Sequence, residues 1–197
     1  MTATPLQNDQ FRLAARPVGL PKPGDWQTVN EAVRPIVDGE IVVKTLYLSL
    51  DPAMRGWMNE GKSYIRPVAI GEVMRAGGVG VVVESKSPKF AVGDHVSGGI
   101  GVQTYSVGAA DDKTANFYKI DPRMAPLTTW LNTLGMPGMT AYFGLLDVGQ
   151  PKAGETVVVS GAAGAVGQTV GQVAKHLGCR VVGIAGGQDK CDYVVKE

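Results

Sequence analysis

The sequence is poor in the side chains that hold metals or cross-link chains. Its 197 residues include two cysteines and two histidines. Cys179 and Cys191 form no C-x-x-C pair and no disulfide framework, which fits a reducing, cytoplasmic setting. Charge of neither sign dominates: 19 basic residues face 18 acidic ones, for a net charge of +1. No basic run of the kind that binds nucleic acid or membrane surfaces is present, so neither partner is expected. No apolar run approaches the ~18 residues of a membrane span. The opening "MTATPLQNDQ" lacks the apolar centre of a secretory signal. The expectation is a soluble, cytoplasmic protein. At 44% hydrophobic and 19% charged residues, the chain can build a core. Its length suits one large domain, or one domain and part of a second.

What is present divides in two. The first two thirds read as short strands punctuated by turns. Strands are expected at Glu40–Leu50, Gly78–Ser85, His95–Ser97, Val102–Val107 and Asn116–Ile120. Gly24-Asp25, Asp38-Gly39, Gly77-Gly78, Gly93-Asp94 and Gly98-Gly99 mark the turns between them. Strands at this spacing favour a small barrel or sandwich. The texture changes near Asp121-Pro122. Helical stretches follow, interrupted by Gly135 and Pro137-Gly138. A helix is expected over Thr140–Asp147, with Ala141, Phe143, Leu145 and Leu146 on its apolar face and Gly149 as its stop.

From Thr156 the pattern is strand, helix, strand. "TVVVS" is continuously apolar, as in a strand buried on both faces. Val166, Val170, Val173, Ala174 and Leu177 then recur on one face of a helix. Gly178 stands where a left-handed C-cap is wanted. "CRVVGIA" is a second strand, ended by Gly186-Gly187. Asp189 could N-cap a last helix that begins "KCDYVVKE". A doubly wound sheet has about six strands, and this chain supplies two. The expected organisation is residues 1–125 as the β domain and 126–197 as the start of a doubly wound parallel sheet.

The turn "SGAAGAVGQ" (Ser160–Gln168) joins these elements. Set against G-x-G-x-x-G, it reads Ala162-Ala163-Gly164-Ala165-Val166-Gly167, with alanine in the first place. Gly164 lets backbone approach a diphosphate, and Gly167 lets the helix pack closely on the strand. The helix N-terminus offers free N–H groups and partial positive charge to the anion. The competing reading is a tight turn with no ligand. The flanking strand–helix–strand context favours a dinucleotide. An NAD site places an acid about 20 residues on; here that window holds Gly186 and Gly187. Lys190 follows, a cation suited to a 2′-phosphate, so NADP(H) is expected over NAD(H). The rival assignment makes Asp189 the ribose-binding acid.

Several segments carry a family resemblance: "LYLSLDPAMRGWM" (46–58), "VVVESKSPKFAVGDHV" (81–96), "LGMPGMTAYFGLLDVGQPKAGETVVVSGAAGAVG" (134–167) and "GCRVVGIAGGQDKC" (178–191). Together they resemble the NADPH-dependent alkenal/one oxidoreductases of the medium-chain dehydrogenase/reductase superfamily. That branch holds prostaglandin reductases, plant double-bond reductases and bacterial curcumin reductases; the bacterial type looks most similar. The resemblance covers nearly all of the chain. It implies a GroES-like β-barrel followed by a Rossmann domain, incomplete here because such enzymes continue well beyond Glu197. It implies NADPH at Gly164, Ala165, Val166 and Gly167, its 2′-phosphate near Lys190, and Met136 and Thr140 beside the nicotinamide. It implies a homodimer and places a commonly invoked active-site tyrosine in the part beyond Glu197. Where members often have a pocket tyrosine in "DPYMR", this chain has Ala53. Arg55 and Tyr64 are the nearby substrate-pocket candidates, against a plainer reading as a structural ion pair and a surface aromatic. An incomplete sheet would also leave an edge strand open to pairing, swapping or aggregation.

The β domain holds no cysteine and one histidine, His95, so the ligands of a catalytic zinc are lacking; His176 is expected to be exposed on its helix. No metal site is expected. The expected reaction is zinc-independent reduction of the C=C bond of an α,β-unsaturated ketone or aldehyde, with hydride arriving at the β-carbon and hydrogen-bond donors stabilising the enolate oxygen. The residue that supplies the donor cannot be named from the sequence. An NADPH quinone oxidoreductase is the alternative, and a non-catalytic NADPH-binding fragment the second.

Overall fold

The computed structural model describes residues 6–113 and 115–196; Met1–Pro5, Thr114 and Glu197, which the sequence reading touched, lie outside them. The chain divides into two units between Leu127 and Thr128.

The first unit is built from antiparallel strands. β1 (Gln7–Leu13) and β2 (Trp26–Ala32) form a two-stranded ribbon. Five more strands follow: β3 (Glu40–Leu48), β4 (Gly77–Ser85), β5 (His95–Gly99), β6 (Tyr105–Ala109) and β7 (Tyr118–Ile120). They hydrogen-bond in the order β6-β3-β4-β5-β7. Single bridges from Gln10 to Gln103 and from Arg12 to Val73 tie the ribbon to the rest. A short helix, α1 (Ala53–Trp57), leaves the end of β3. Alternation along the strands sorts side chains to opposite faces. Ile41, Val43, Val82, Phe90, Val96 and Ile100 share one core. Leu13, Met58, Val68 and Met74 share a second, with Trp26 and Trp57 against it.

This unit differs from the expected pattern in β1, β2 and α1, which were not expected, and in the starts of β6 and β7. β1 went unpredicted because two of its inward positions are polar. Asn8 and Gln10 are both buried. Asn8 donates to Gln103 at 3.1 Å and accepts from the Tyr105 amide at 2.9 Å, and Gln10 donates to Glu31 at 3.0 Å. Buried polar groups that find partners in this way are tolerated, but they erase the apolar alternation. The strand expected at Val102–Val107 begins only at Tyr105, because Val102 bonds instead to Met74 and Phe11. The one expected from Asn116 begins at Tyr118, because Asn116 takes a left-handed φ of 46°.

The second unit opens with α2 (Met136–Tyr142) and continues as a π-helical turn, Phe143–Gly149. Pro137 and Gly138 start this helix rather than interrupt it, since proline is accommodated in a helical first turn. Phe143 departs from the expected apolar face: Ala141 and Leu145 are buried and Leu146 packs on the same core, whereas Phe143 is 47% exposed. β8 (Thr156–Ser160), α3 (Ala165–His176), β9 (Arg180–Ile184) and α4 (Gln188–Lys196) complete the unit. β8 and β9 pair in parallel, Thr156 opposite Arg180 through Ser160 opposite Ile184. Leu145, Ala174 and Cys179 form the core here, with Val157, Val170, Val173 and Val181 packed against it. β8 is not buried on both faces: Val159 is buried, but Val158 is 61% exposed. Gly178 does take the left-handed C-cap geometry, at φ 81°. Asp189 lies inside the first turn of α4 rather than at its cap.

Glu40, at the head of β3, holds the preceding loop. Its carboxylate accepts two bonds of 2.7 Å from Arg34 and one of 3.0 Å from the Val37 amide. The Arg34 guanidinium, then that amide, lowers the Glu40 pKa from 4.5 to about 2. A depressed carboxylate stabilises the fold above its unfolded pKa and loses that contribution as pH falls through the folded one. The stability advantage over Glu40→Gln is therefore expected to be full above pH 4.5 and to vanish as pH falls toward 2. Urea titrations of both proteins across that range measure it; a pH-independent difference would contradict the assignment.

Candidate functional site

The turn after β8 brings several constrained positions together. β8 ends at Ser160. Gly161 turns the chain with a φ of 66°, a conformation that side chains with a Cβ rarely adopt. Ala162 is buried and donates its amide to Ile184 O at 3.0 Å, so the turn is pinned to the end of β9. Alanine fits here because glycine's freedom is needed one residue earlier, at Gly161. Opposite it, Gly183 has no room for a side chain: a Cβ there would lie 2.9 Å from the Ala162 Cβ. Gly164 is the N-cap of α3 and has no side-chain cap. Its own amide donates to Gly161 O at 2.8 Å.

This leaves the first-turn amides of Ala165, Val166 and Gly167, which no helix can satisfy internally. They carry the positive end of the helix dipole. The turn stays narrow because Gly167 touches it. A Cβ on Gly167 would come within 2.8 Å of the Ala162 Cα and overlap the Gly161 carbonyl. The cradle is therefore made of backbone, with free N–H groups at its floor, as an anionic group requires.

Lys190 stands on α4, which follows directly on β9. It is exposed and has no hydrogen bond or ion pair among the described residues. Asp189 beside it is exposed too. Two residues that sequence reasoning missed join this helix to the turn. Gln168 Nε2 donates to Ala163 O at 2.9 Å, and the Tyr193 hydroxyl donates to Gln168 Oε1 at 2.9 Å. No local pattern could have shown a pair 25 residues apart.

Met136 and Thr140 lie on α2, which packs along α3. Met136 is 78% exposed, and the Thr140 hydroxyl donates to Met136 O at 2.8 Å. Arg55 and Tyr64 belong to the first unit. Arg55 clamps a loop: Nε and Nη2 reach Gly19 O at 3.0 and 2.9 Å, Nη2 reaches Pro17 O at 3.0 Å, and Nη1 reaches Asn59 Oδ1 at 2.7 Å. Its partners are carbonyls and an amide, not the acid of an ion pair. Tyr64 is largely exposed, and its hydroxyl lies 3.5 Å from Trp57 Nε1. The Arg75 guanidinium stacks on the same Trp57, 5.4 Å from the ring centroid, with Nη1 buried and unpartnered. Sequence reasoning did not single out Arg75. His95 lies in β5, opposite Val81 of β4 and Ile120 of β7, and His176 is exposed. Among the described residues no three His, Cys, Asp or Glu side chains gather as a metal site would need. Among the described residues no helix is long and apolar enough to cross a membrane.

Residues 9–116 match the family model described as the N-terminal domain of oxidoreductase. The chain belongs to this family. It is 46% identical over 190 residues to the NADPH-dependent curcumin reductase of Escherichia coli (strain K12), covering 96% of this chain and 54% of that protein. It is 45% identical over 197 residues to the NADP(+)-dependent 2-alkenal reductase of Nicotiana tabacum, covering 98% and 56%. The crystal structure of CurA in complex with NADPH from Vibrio vulnificus superposes with a TM-score of 0.86 at 42% identity, covering 95% of this chain and 54% of that one. The fold is thus that of the medium-chain dehydrogenases/reductases, a GroES-like β domain followed by part of a Rossmann fold. The chain spans about half the length of the curated relatives it matches.

The two glycines of α3 predict opposite effects of one methyl group. Alanine gains about 1 kcal/mol over glycine inside a helix. At Gly171 a Cβ would meet only Val181 at 3.8 Å, so Gly171→Ala should stabilise by about 0.5–1 kcal/mol. At Gly167 the overlap with backbone outweighs that gain, and Gly167→Ala should destabilise by about 1–3 kcal/mol. Denaturant midpoints of the two variants test the pair; equal shifts would contradict the close approach.

Proposed function

We propose that the protein binds NADP(H) and, as part of a whole enzyme, reduces the C=C bond of α,β-unsaturated ketones or aldehydes without zinc. The observation that carries the reading is the uncapped backbone cradle at Gly164–Gly167, followed by the unpaired Lys190. The residues fit the cofactor on this structure's own terms. A side chain at Gly164 would crowd the cradle, 3.2 Å from Gly161 O, and none is there. The amides of Ala165, Val166 and Gly167 would hold the diphosphate. Lys190 would pair with the 2′-phosphate, the group that distinguishes NADPH from NADH. Met136 and Thr140 are proposed beside the nicotinamide, and Arg55 and Tyr64 beside the substrate. Arg55 serves there by fixing its loop, since its nitrogens are engaged. Tyr64 retains a hydroxyl able to donate to a carbonyl oxygen.

Bound NADPH would supply the hydride. The chain's contribution is to bind, orient and offer hydrogen-bond donors where negative charge develops. Zinc independence rests on the donor set: His95 is the only histidine of the β domain, and that domain has no cysteine. A small enone or enal as substrate, a homodimer and a cytoplasmic setting belong to the same proposal.

Titration calorimetry with NADPH and NADH tests the cofactor. NADPH should bind more tightly, and Lys190→Ala should weaken NADPH at least about tenfold, the size of a lost charge-assisted hydrogen bond, while sparing NADH. Equal affinities, or an NADH preference, would turn the assignment toward Asp189. NADPH oxidation with an enone and with a quinone, each with and without a zinc chelator, tests the reaction. Enone-dependent, chelator-resistant turnover is expected. Turnover on quinone alone, or binding without turnover, would overturn enone reduction.

A further inference from the structure

α4 packs on β9: a Cβ on Gly183 would lie 2.9 Å from Val194 Cγ1, and Cys191 Sγ reaches Ala185 O at 3.7 Å. None of its residues is fully buried. Between it and α3 lies a cavity of ≈ 410 Å³, lined by Gln168, Gln172 and Lys175 on one side and Cys191, Tyr193 and Val194 on the other. Among the described residues one hydrogen bond crosses from α4 to α3, that from Tyr193 to Gln168. Gln168 passes it on to the carbonyl of Ala163 inside the glycine turn.

We infer that Tyr193 and Gln168 are positioning residues, whose bridge sets Lys190 relative to the diphosphate cradle and thereby sets the preference for a 2′-phosphorylated dinucleotide. The inference rests on the NADP(H) reading above and deepens it. Two features give the bridge this role. Its direction is fixed: a glutamine amide that donates to Ala163 O must present its oxygen to Tyr193. Ala163 is therefore held from both sides of its peptide link, its carbonyl by Gln168 and the following amide by Gly161 O at 2.8 Å. Tyr193 also lies three residues after Lys190, so the two are neighbours on the helix surface. Anchoring Tyr193 anchors the turn of α4 that carries the cation. The cradle has its own support, from the Ala162 amide to Ile184 O. Losing the Tyr193 hydroxyl should loosen α4 while sparing the cradle.

The test uses the full-length protein, with Kd values for NADPH and NADH measured on wild type, Tyr193→Phe, Lys190→Met and the double variant. Adenosine 2′,5′-bisphosphate and 5′-AMP serve as smaller probes of the same difference. Tyr193→Phe should raise the Kd for NADPH about fivefold, the size of one neutral hydrogen bond, and that for NADH less than twofold. In the Lys190→Met background the same change should not lower the NADPH/NADH preference further. Gln168→Met, a second variant of similar length, should lower the preference as well. If Tyr193→Phe weakens both cofactors equally, or if its effect persists undiminished without Lys190, the bridge is merely structural and the inference falls. If Lys190→Met leaves the preference intact, the reading of Lys190 itself has failed, and the inference with it.

Discussion

The contact on which the rest of the candidate site depends is the approach of α3 to the end of β8. Gly167 touches the backbone of Gly161 and Ala162. Once the helix is that close, its first turn must open directly onto the loop, and its amides have no room for a capping side chain. Everything else serves this arrangement. Gly161 turns the chain at positive φ. Ala162 fills the space that Gly183 leaves and bonds to the end of β9. Gln168 holds the carbonyl of Ala163. The proposed anion-binding surface would result from the absence of side chains at a few positions, with little contribution from any charged residue of the turn.

The two units use different means of order. The first satisfies its backbone through antiparallel ladders and buries some amide side chains, Asn8 among them, in hydrogen-bonded pairs. The second relies on a parallel pair, on α2 packed along α3, and on α4 across a cavity from α3. Lys190 lies on α4. In the proposed site, recognition of the 2′-phosphate would depend on a helix joined to α3 by a polar bridge, whereas the diphosphate cradle rests on tight packing.

Much of the second unit was legible in the sequence, because its determinants are local. The strand of β8, the glycine turn, the helical period of α3 and the C-cap at Gly178 each lie within a few residues. The location of the positive φ was not legible: the motif reads alanine in its first position, and Gly161, one residue earlier, supplies the turn. β1 was hidden because its inward residues are amides whose partners, Gln103 and Tyr105, are nearly a hundred residues away. The π-helical turn after Tyr142 placed Phe143 outward where an α-helical period put it inside. The bridge from Tyr193 to Gln168 joins residues whose spacing in sequence carries no period. Arg55 was recognised as a candidate, but its commitment to the Pro17 and Gly19 carbonyls belongs to tertiary structure.

The central claim is that the first-turn amides of α3 and Lys190 form one anion site for a 2′-phosphorylated dinucleotide. Amide and side-chain NMR shifts on adding adenosine 2′,5′-bisphosphate test it most directly. The largest changes should fall on the backbone N–H groups of Ala165, Val166 and Gly167 and on the Lys190 ammonium, with 5′-AMP moving the amides alone. Shifts centred elsewhere in the chain, or the same response to both nucleotides at Lys190, would contradict it.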